Sequence, residues 1–197
     1  MGKTVIRVGL SMKSIKDAQK AIRKYQRYLL KKCKLFVSKL AEVGIETGTR
    51  VASGDQGNAP EENKGYGKYV VFSKQIDNPT QTGVRGILIA SNSNGLLRSQ
   101  WRTNNNATGI ATADVSPILM AEFGAGIKAN NPNASKFGMG QGTFPGQTHA
   151  FDAEGWWYQT LDYEWHHSYG VTPTMPVQKA ADEMVREIAR VVREVWP

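Results

Sequence analysis

The residues of this chain whose types could carry catalysis or hold a metal are three histidines, one cysteine and a run of spaced glycines. Their spacing argues against each use. His149, His166 and His167 would need Asp152 or Asp162 to complete a metal site, but no His-x-x-x-His pair or cluster of aspartates supports one, so surface histidines are expected. Gly138-x-Gly-x-Gly142 has neither the preceding strand nor the following helix of a nucleotide loop, and no Lys-Ser/Thr phosphate cradle accompanies it. Cys33 is the sole cysteine, which excludes an internal disulfide and a thiolate cluster within one chain, and it falls on the apolar stripe of a helix. No serine has a recognisable nucleophile context. The expectation is a protein that is not an enzyme and uses no cofactor or metal.

One carboxylate stands out instead. Ser116-Pro-Ile-Leu-Met-Ala-Glu-Phe-Gly-Ala-Gly126 is a short apolar run with Glu122 inside it; Pro117 suits a first helical turn, and Gly124 and Gly126 can take the positive φ that stops one. A buried carboxylate is costly unless paired. Glu122 therefore either accepts hydrogen bonds from nearby backbone or from Arg98 within the fold, or makes a contact across a subunit boundary. Beyond it, residues 127–153 show no apolar period and contain Gly138, Gly140, Gly142 and Gly146, which predicts a segment ordered only on docking with a neighbour. The segment ends at Gly155-Trp-Trp-Tyr158, and Trp165 and Tyr169 follow closely. Alternating strand geometry cannot bury both faces of such a cluster without a covering surface. The candidate interface residues are Glu122, Phe123, Phe137, Phe144, Trp156, Trp157, Tyr158 and Trp165.

The charge is equally uneven. Lys13, Lys16, Lys20, Arg23, Lys24, Arg27, Lys31, Lys32, Lys34 and Lys39 face only Asp17 and Glu42 up to Val43, a balance equal to the whole chain's +8. A basic helix is first of all a solvated face, but a line of cations also fits a polyanion, because neutralising phosphates releases counterions.

The elements that must position these groups follow from periodicity. Residues 3–10 read as a strand. Ser14 with Asp17 has the form of a capping box, and a stripe of Ile15, Ala18, Ile22, Tyr25, Leu29, Cys33, Phe36, Leu40 and Val43 predicts one long helix stopped by Gly44. Residues 49–53 read as a short strand and 54–67 as a polar loop. Residues 68–76 and 84–91 read as a hairpin, 95–101 as a strand or helical turn, 108–115 as a strand, and 156–166 as one or two strands. Pro173 and Pro176 introduce a final helix with the stripe Val177, Ala180, Ala181, Met184, Ile188, Val191, Val192 and Val195, and with an Asp182–Arg186 pair. The order predicts an α+β fold: a mainly antiparallel sheet with the N- and C-terminal helices packed on one face, in a single domain over 1–197 with an extended loop at about 125–155. No apolar run approaches a membrane span and no signal peptide is evident, so a soluble protein made in the cytosol is expected.

Three motifs add a resemblance. Ala121-Glu-Phe-Gly-Ala-Gly126, Gly155-Trp-Trp-Tyr158 after a Gly-rich loop, and Gly170-Val-Thr-Pro-Thr-Met-Pro176 leading into a closing helix resemble the tail-component family of Hong Kong-type and lambda-type siphophages and Gram-positive prophages. Gly95-Leu-Leu-Arg98 fits that family's Gly-x-Leu-Arg element. The chain departs from the pattern at Ile118 to Met120, Ala125, Gln100 and Pro173-Thr-Met. The resemblance implies a tail-completion or head-tail joining protein of the neck, made in the bacterial host and carried in the virion. It implies a homo-oligomeric, six-fold ring beside a head-tail connector or adaptor, a tail terminator or the tail tube, with genomic DNA passing through the channel and no membrane partner. Lys20, Lys24, Arg27 and Lys31 would then line that channel or meet an acidic partner ring. The alternative reading is a sequence-independent nucleic-acid-binding protein using the basic helix.

Overall fold

Ser11 begins the first helix: extended itself, it accepts a hydrogen bond from the Ser14 N–H at 3.2 Å. The cap thus lies three residues upstream of the expected one, and Ser14 is already helical. The computed structural model describes residues 11–54, 67–80, 83–102, 110–137, 155–159 and 163–197. The strand expected at 3–10 and the polar loop between Gly54 and Gly67 lie outside them.

Helix α1 runs Met12–Ala52, 41 residues and about 60 Å at the usual rise per residue. It passes through Gly44 rather than stopping there, and residues 49–53 form its last turn and cap instead of a strand. Packing explains the difference. A Cβ on Gly44 would lie 2.6 Å from Met184 Sδ and 2.9 Å from Leu88 Cδ2, and one on Gly48 would lie 2.5 Å from the Phe72 ring. Both glycines serve close approach, and that gain exceeds their propensity cost of about 1 kcal/mol each. Gly48→Val is accordingly expected to lower stability by about 1–3 kcal/mol through overpacking against Phe72, read as a fall in the urea midpoint.

Strands β1 (Val70–Asp77) and β2 (Arg85–Asn92) form the expected antiparallel hairpin, in register from Val70 opposite Asn92 to Asp77 opposite Arg85. Arg85 binds the Asp77 carboxylate at the turn end. The face carrying Val70 and Phe72 packs under α1, where Ala52, Val70, Phe72 and Ala121 make a core flanked by Ile45, Leu88, Ala90, Ile118 and Val177. After the turn at Gly95, which holds φ +79°, the remaining strands form a second sheet instead of extending the first. These are β3 (Leu97–Arg102), β4 (Ile110–Val115), β5 (Trp156–Gln159) and β6 (Trp165–Ser168), all antiparallel, in the order β4-β3-β5-β6.

Between β4 and β5 lies the short helix α2 (Pro117–Phe123), and the chain closes with α3 (Pro176–Val195). Helix α3 lies antiparallel along α1: Met184 sits at Gly44, Lys39 binds Glu194, Phe36 meets Trp196, and Lys32 Nζ donates to the Val195 carbonyl at 2.6 Å. The fold is α+β, with the long N-terminal helix and the C-terminal helix packed together. Arg186 pairs with Glu183, one turn back, instead of with Asp182.

Candidate functional site

The stretch around Glu122 is a junction that ties three parts of the chain together. Asn92, at the end of β2, caps α2 in place of the adjacent Ser116: its Oδ1 accepts from the Ile118 N–H at 2.9 Å and its Nδ2 donates to Ser116 Oγ at 3.1 Å. Gly124 ends α2 at φ +78°, where a Cβ would lie 2.5 Å from the Val171 carbonyl oxygen. Ala125 then pairs with Val171 through two backbone hydrogen bonds of 2.9 and 2.8 Å. The Ala121 carbonyl accepts from the N–H groups of Thr174 and Met175.

Glu122 completes the junction. Its carboxylate accepts from the Val177 N–H at 2.8 Å and the Gln178 N–H at 3.2 Å, two orphan donors at the start of α3. The residue preceding α3 is Met175, at φ +56° with no side-chain cap of its own, so the cap comes from another element 55 residues away. A carboxylate at a helix N-terminus also meets the positive end of the macrodipole. Burial still outweighs these bonds and raises the Glu122 pKa above its ordinary value. The structure therefore gives this carboxylate intramolecular backbone partners; the side chain of Arg98 lies outside the described residues.

The same junction fixes the beginning of the Gly-rich segment, which was expected to be ordered only by a neighbour. Two 3-10 turns, Gly126–Lys128 and Ala134–Phe137, form within the chain. Asn131 Nδ2 donates to the Glu122 carbonyl at 2.7 Å, its Oδ1 accepts from the Asn133 N–H, and Asn133 Nδ2 donates to Gln178 Oε1. Asparagine side chains supply the local bonds that hydrophobic periodicity does not reveal. Residues 138–154, including Phe144, Gly142, His149 and Asp152, lie outside the described residues, as does Asp162.

The first third of α1 behaves differently from the rest. Helix α3 meets α1 only as far as Lys32 and Phe36, and from Met12 to Tyr28 every residue but Ser14 and Ala18 is exposed. These 17 residues, about 25 Å, stand clear as an overhang. Ile15, Ile22 and Tyr25, expected on a buried stripe, are 39%, 46% and 48% exposed. Lys20, Lys24, Arg27 and Lys31 fall on the opposite side in one line, all exposed, and no ion pair among the described residues engages them. Nor do they suit an isolated helix: no acid sits in its first turn, and Lys16/Lys20, Lys20/Lys24, Arg23/Arg27 and Arg27/Lys31 are like-charge i,i+4 pairs. This row of cations lowers the stability of the segment that carries it.

No protein-family model, curated protein or solved structure matches this chain.

The aromatic cluster supplies a third surface, at the sheet edge formed by β6. Trp157 packs edge-on against His167 at 4.8 Å between centroids, and His167 against Tyr169 at 4.5 Å, a ladder that leaves Trp157 and Tyr169 exposed. Tyr163 is also exposed. His167 is thus held between two rings. The strand positions of Trp156, Tyr158, Trp165 and His166 are described, but their side chains, like that of Phe137, lie outside the described residues. Phe123 is half-buried at the end of α2. Glu122 and Phe123 thus meet at the junction, while Trp157 lies on the edge ladder and the four cations on the overhang.

Sequence reading missed Asn92 and Asn131, which hold the junction, and the outer face of α3. There Val185 is 68% exposed, with Ile188, Val192 and Ala181 beside it. The signal was present: the apolar arc of α3 is wider than one neighbouring helix covers, and only Pro176, Ala180, Val191 and Val195 of it are buried.

Proposed function

We propose that this protein is a structural subunit of a phage-type neck, a tail-completion or head-tail joining protein that assembles as a ring and has no catalytic role. The observation that carries this reading is the overhang of α1, a helix segment with an uncovered apolar stripe on one side and, on the other, a line of exposed cations that no ion pair among the described residues engages. Such a segment is stabilised by partners on both sides: protein against the stripe, and a polyanion or acidic protein surface against the cations. The resemblance is supported by geometry as well. Ala121–Gly126 and Gly170–Pro176, two of the motifs that carry it, are hydrogen-bonded into one junction. The third, Gly155–Tyr158, pairs with the strand that leads into Gly170, with Gly155 so close to Ser168 that a Cβ would fall 2.0 Å from its carbonyl oxygen.

The alternative, a nucleic-acid-binding protein without sequence preference, is favoured by the same line of cations and needs no ring. Deleting the gene from the genome that encodes it separates the two. A neck subunit leaves DNA-filled heads and free tails, seen by electron microscopy and rejoined when the chain is supplied in trans. Normal tailed particles from the deletion would end the neck reading.

A further inference from the structure

The fold leaves two apolar stripes bare, and they match. On the α1 overhang, Ile15, Ala18, Ile22 and Tyr25 span about 15 Å along one side. On α3, Ala181, Val185, Ile188 and Val192 span about 16 Å, at spacings of four, three and four residues. Both are ridges of the kind that seat in a partner helix's groove. They do not meet within one chain. Helix α3 runs antiparallel to α1 and ends its contact at Lys32 and Phe36, so the overhang points away from the α3 outer face.

We infer that the α1 overhang of one copy docks on the outer face of α3 of a second copy. Charge selects this pairing over paired overhangs. The overhang carries six basic residues against Asp17 between Met12 and Tyr28, so two overhangs repel each other. Helix α3 holds four basic and four acidic residues, and its Asp182, exposed and outside any ion pair among the described residues, borders the stripe beside Val185. Arg23 borders the overhang stripe next to Ile22 in the same way.

The contact joins two different surfaces, so each copy both gives an overhang and receives one. A single such contact is smaller than a stable interface, about 1,200 Å² or more. Closure into a ring, or into a reciprocal pair, forms two per copy and leaves no stripe bare. It also turns Lys20, Lys24, Arg27 and Lys31 away from the neighbour, along one side of the assembly. The inference deepens the ring reading above, yet it rests on the stripes alone.

The test uses cysteine pairs in a Cys33→Ser background. Ile22→Cys and Ile188→Cys each replace a side chain more than two-fifths exposed, so neither disturbs the core. Mixed and oxidised, chains carrying one or the other are expected to cross-link to each other and not to themselves. Ile188→Asp is expected to weaken association about tenfold or more, by light scattering, with an unchanged thermal midpoint. Self-linked Ile22→Cys chains would replace the contact with paired overhangs, self-linked Ile188→Cys chains with paired α3 faces, and a monomer with no cross-link would overturn it. If the cross-link is absent while tails still join heads, the contact fails and the neck reading survives.

Discussion

Reversing Lys20, Lys24, Arg27 and Lys31 to Glu is expected to abolish salt-sensitive binding of duplex DNA while leaving the fold intact. Each cation that meets a phosphate contributes about 0.9 to the slope of log K against log salt, so losing four removes a slope of about 3.6. Over a fourfold range of salt that slope alone corresponds to about a hundredfold in affinity. Stability will not fall with it. All four side chains are exposed, no ion pair among the described residues engages them, and reversal turns Lys16/Lys20 and Arg23/Arg27 into opposite-charge i,i+4 pairs while positions 20/24 and 27/31 stay like-charged, so the helix loses nothing by it. The expected result is thus a dissociation of two readouts: binding lost by titration at two salt concentrations, with the thermal midpoint held or raised. DNA affinity indifferent to salt, or a reversed chain that binds as the native one does, would remove DNA as the overhang's partner and leave an acidic protein surface in its place.

The second large effect belongs to Glu122. Glu122→Ala strands two half-buried N–H groups at the start of α3 and leaves a cavity at the junction, a loss of about 2–3 kcal/mol by urea denaturation. Glu122→Gln keeps one acceptor in place and is expected to lose about 1 kcal/mol or less. The pH dependence gives a sharper signature. Because burial raises the folded pKa of Glu122 above its ordinary value of 4.5, the unfolded chain loses its proton first as pH rises. The native protein's stability relative to Glu122→Gln is therefore greatest below pH 4.5 and declines as pH rises through the raised folded value. A relative stability that climbs over this window instead would mean that the helix N-terminus, and not burial, dominates the carboxylate. An Ala variant as stable as the native chain would remove the capping role.

Much of the fold is legible along the chain because most of its elements announce themselves locally. The hairpin, the two turns of α2 closed by Gly124, the paired strands after Gly155 and the helix after Pro176 all follow from alternation, helical spacing and turn residues. The errors fall where a tertiary contact overrides a local preference. Gly44 reads as a stop, yet Met184 and Leu88 require a residue without a Cβ there. The cap is a local exception: Ser14 reads as one, yet Ser11, three residues earlier, reaches the same helix first. Residues 127–137 read as unfixed because their order comes from asparagine side chains, whose partners at Glu122 and Gln178 no periodicity encodes.

The sequence by itself determined the concentration of positive charge in one helix, the amphipathic register of that helix and of the last one, and the isolation of a single carboxylate in an apolar run. These are properties of composition and spacing, and they survive any arrangement of the elements. The tertiary structure alone decided which part of each apolar stripe is covered, and where the Glu122 carboxylate points. A stripe states only that a face avoids water. Whether its partner is the same chain depends on where the antiparallel α3 stops along α1, and that position is set by the packing at Gly44, Phe36 and Lys32.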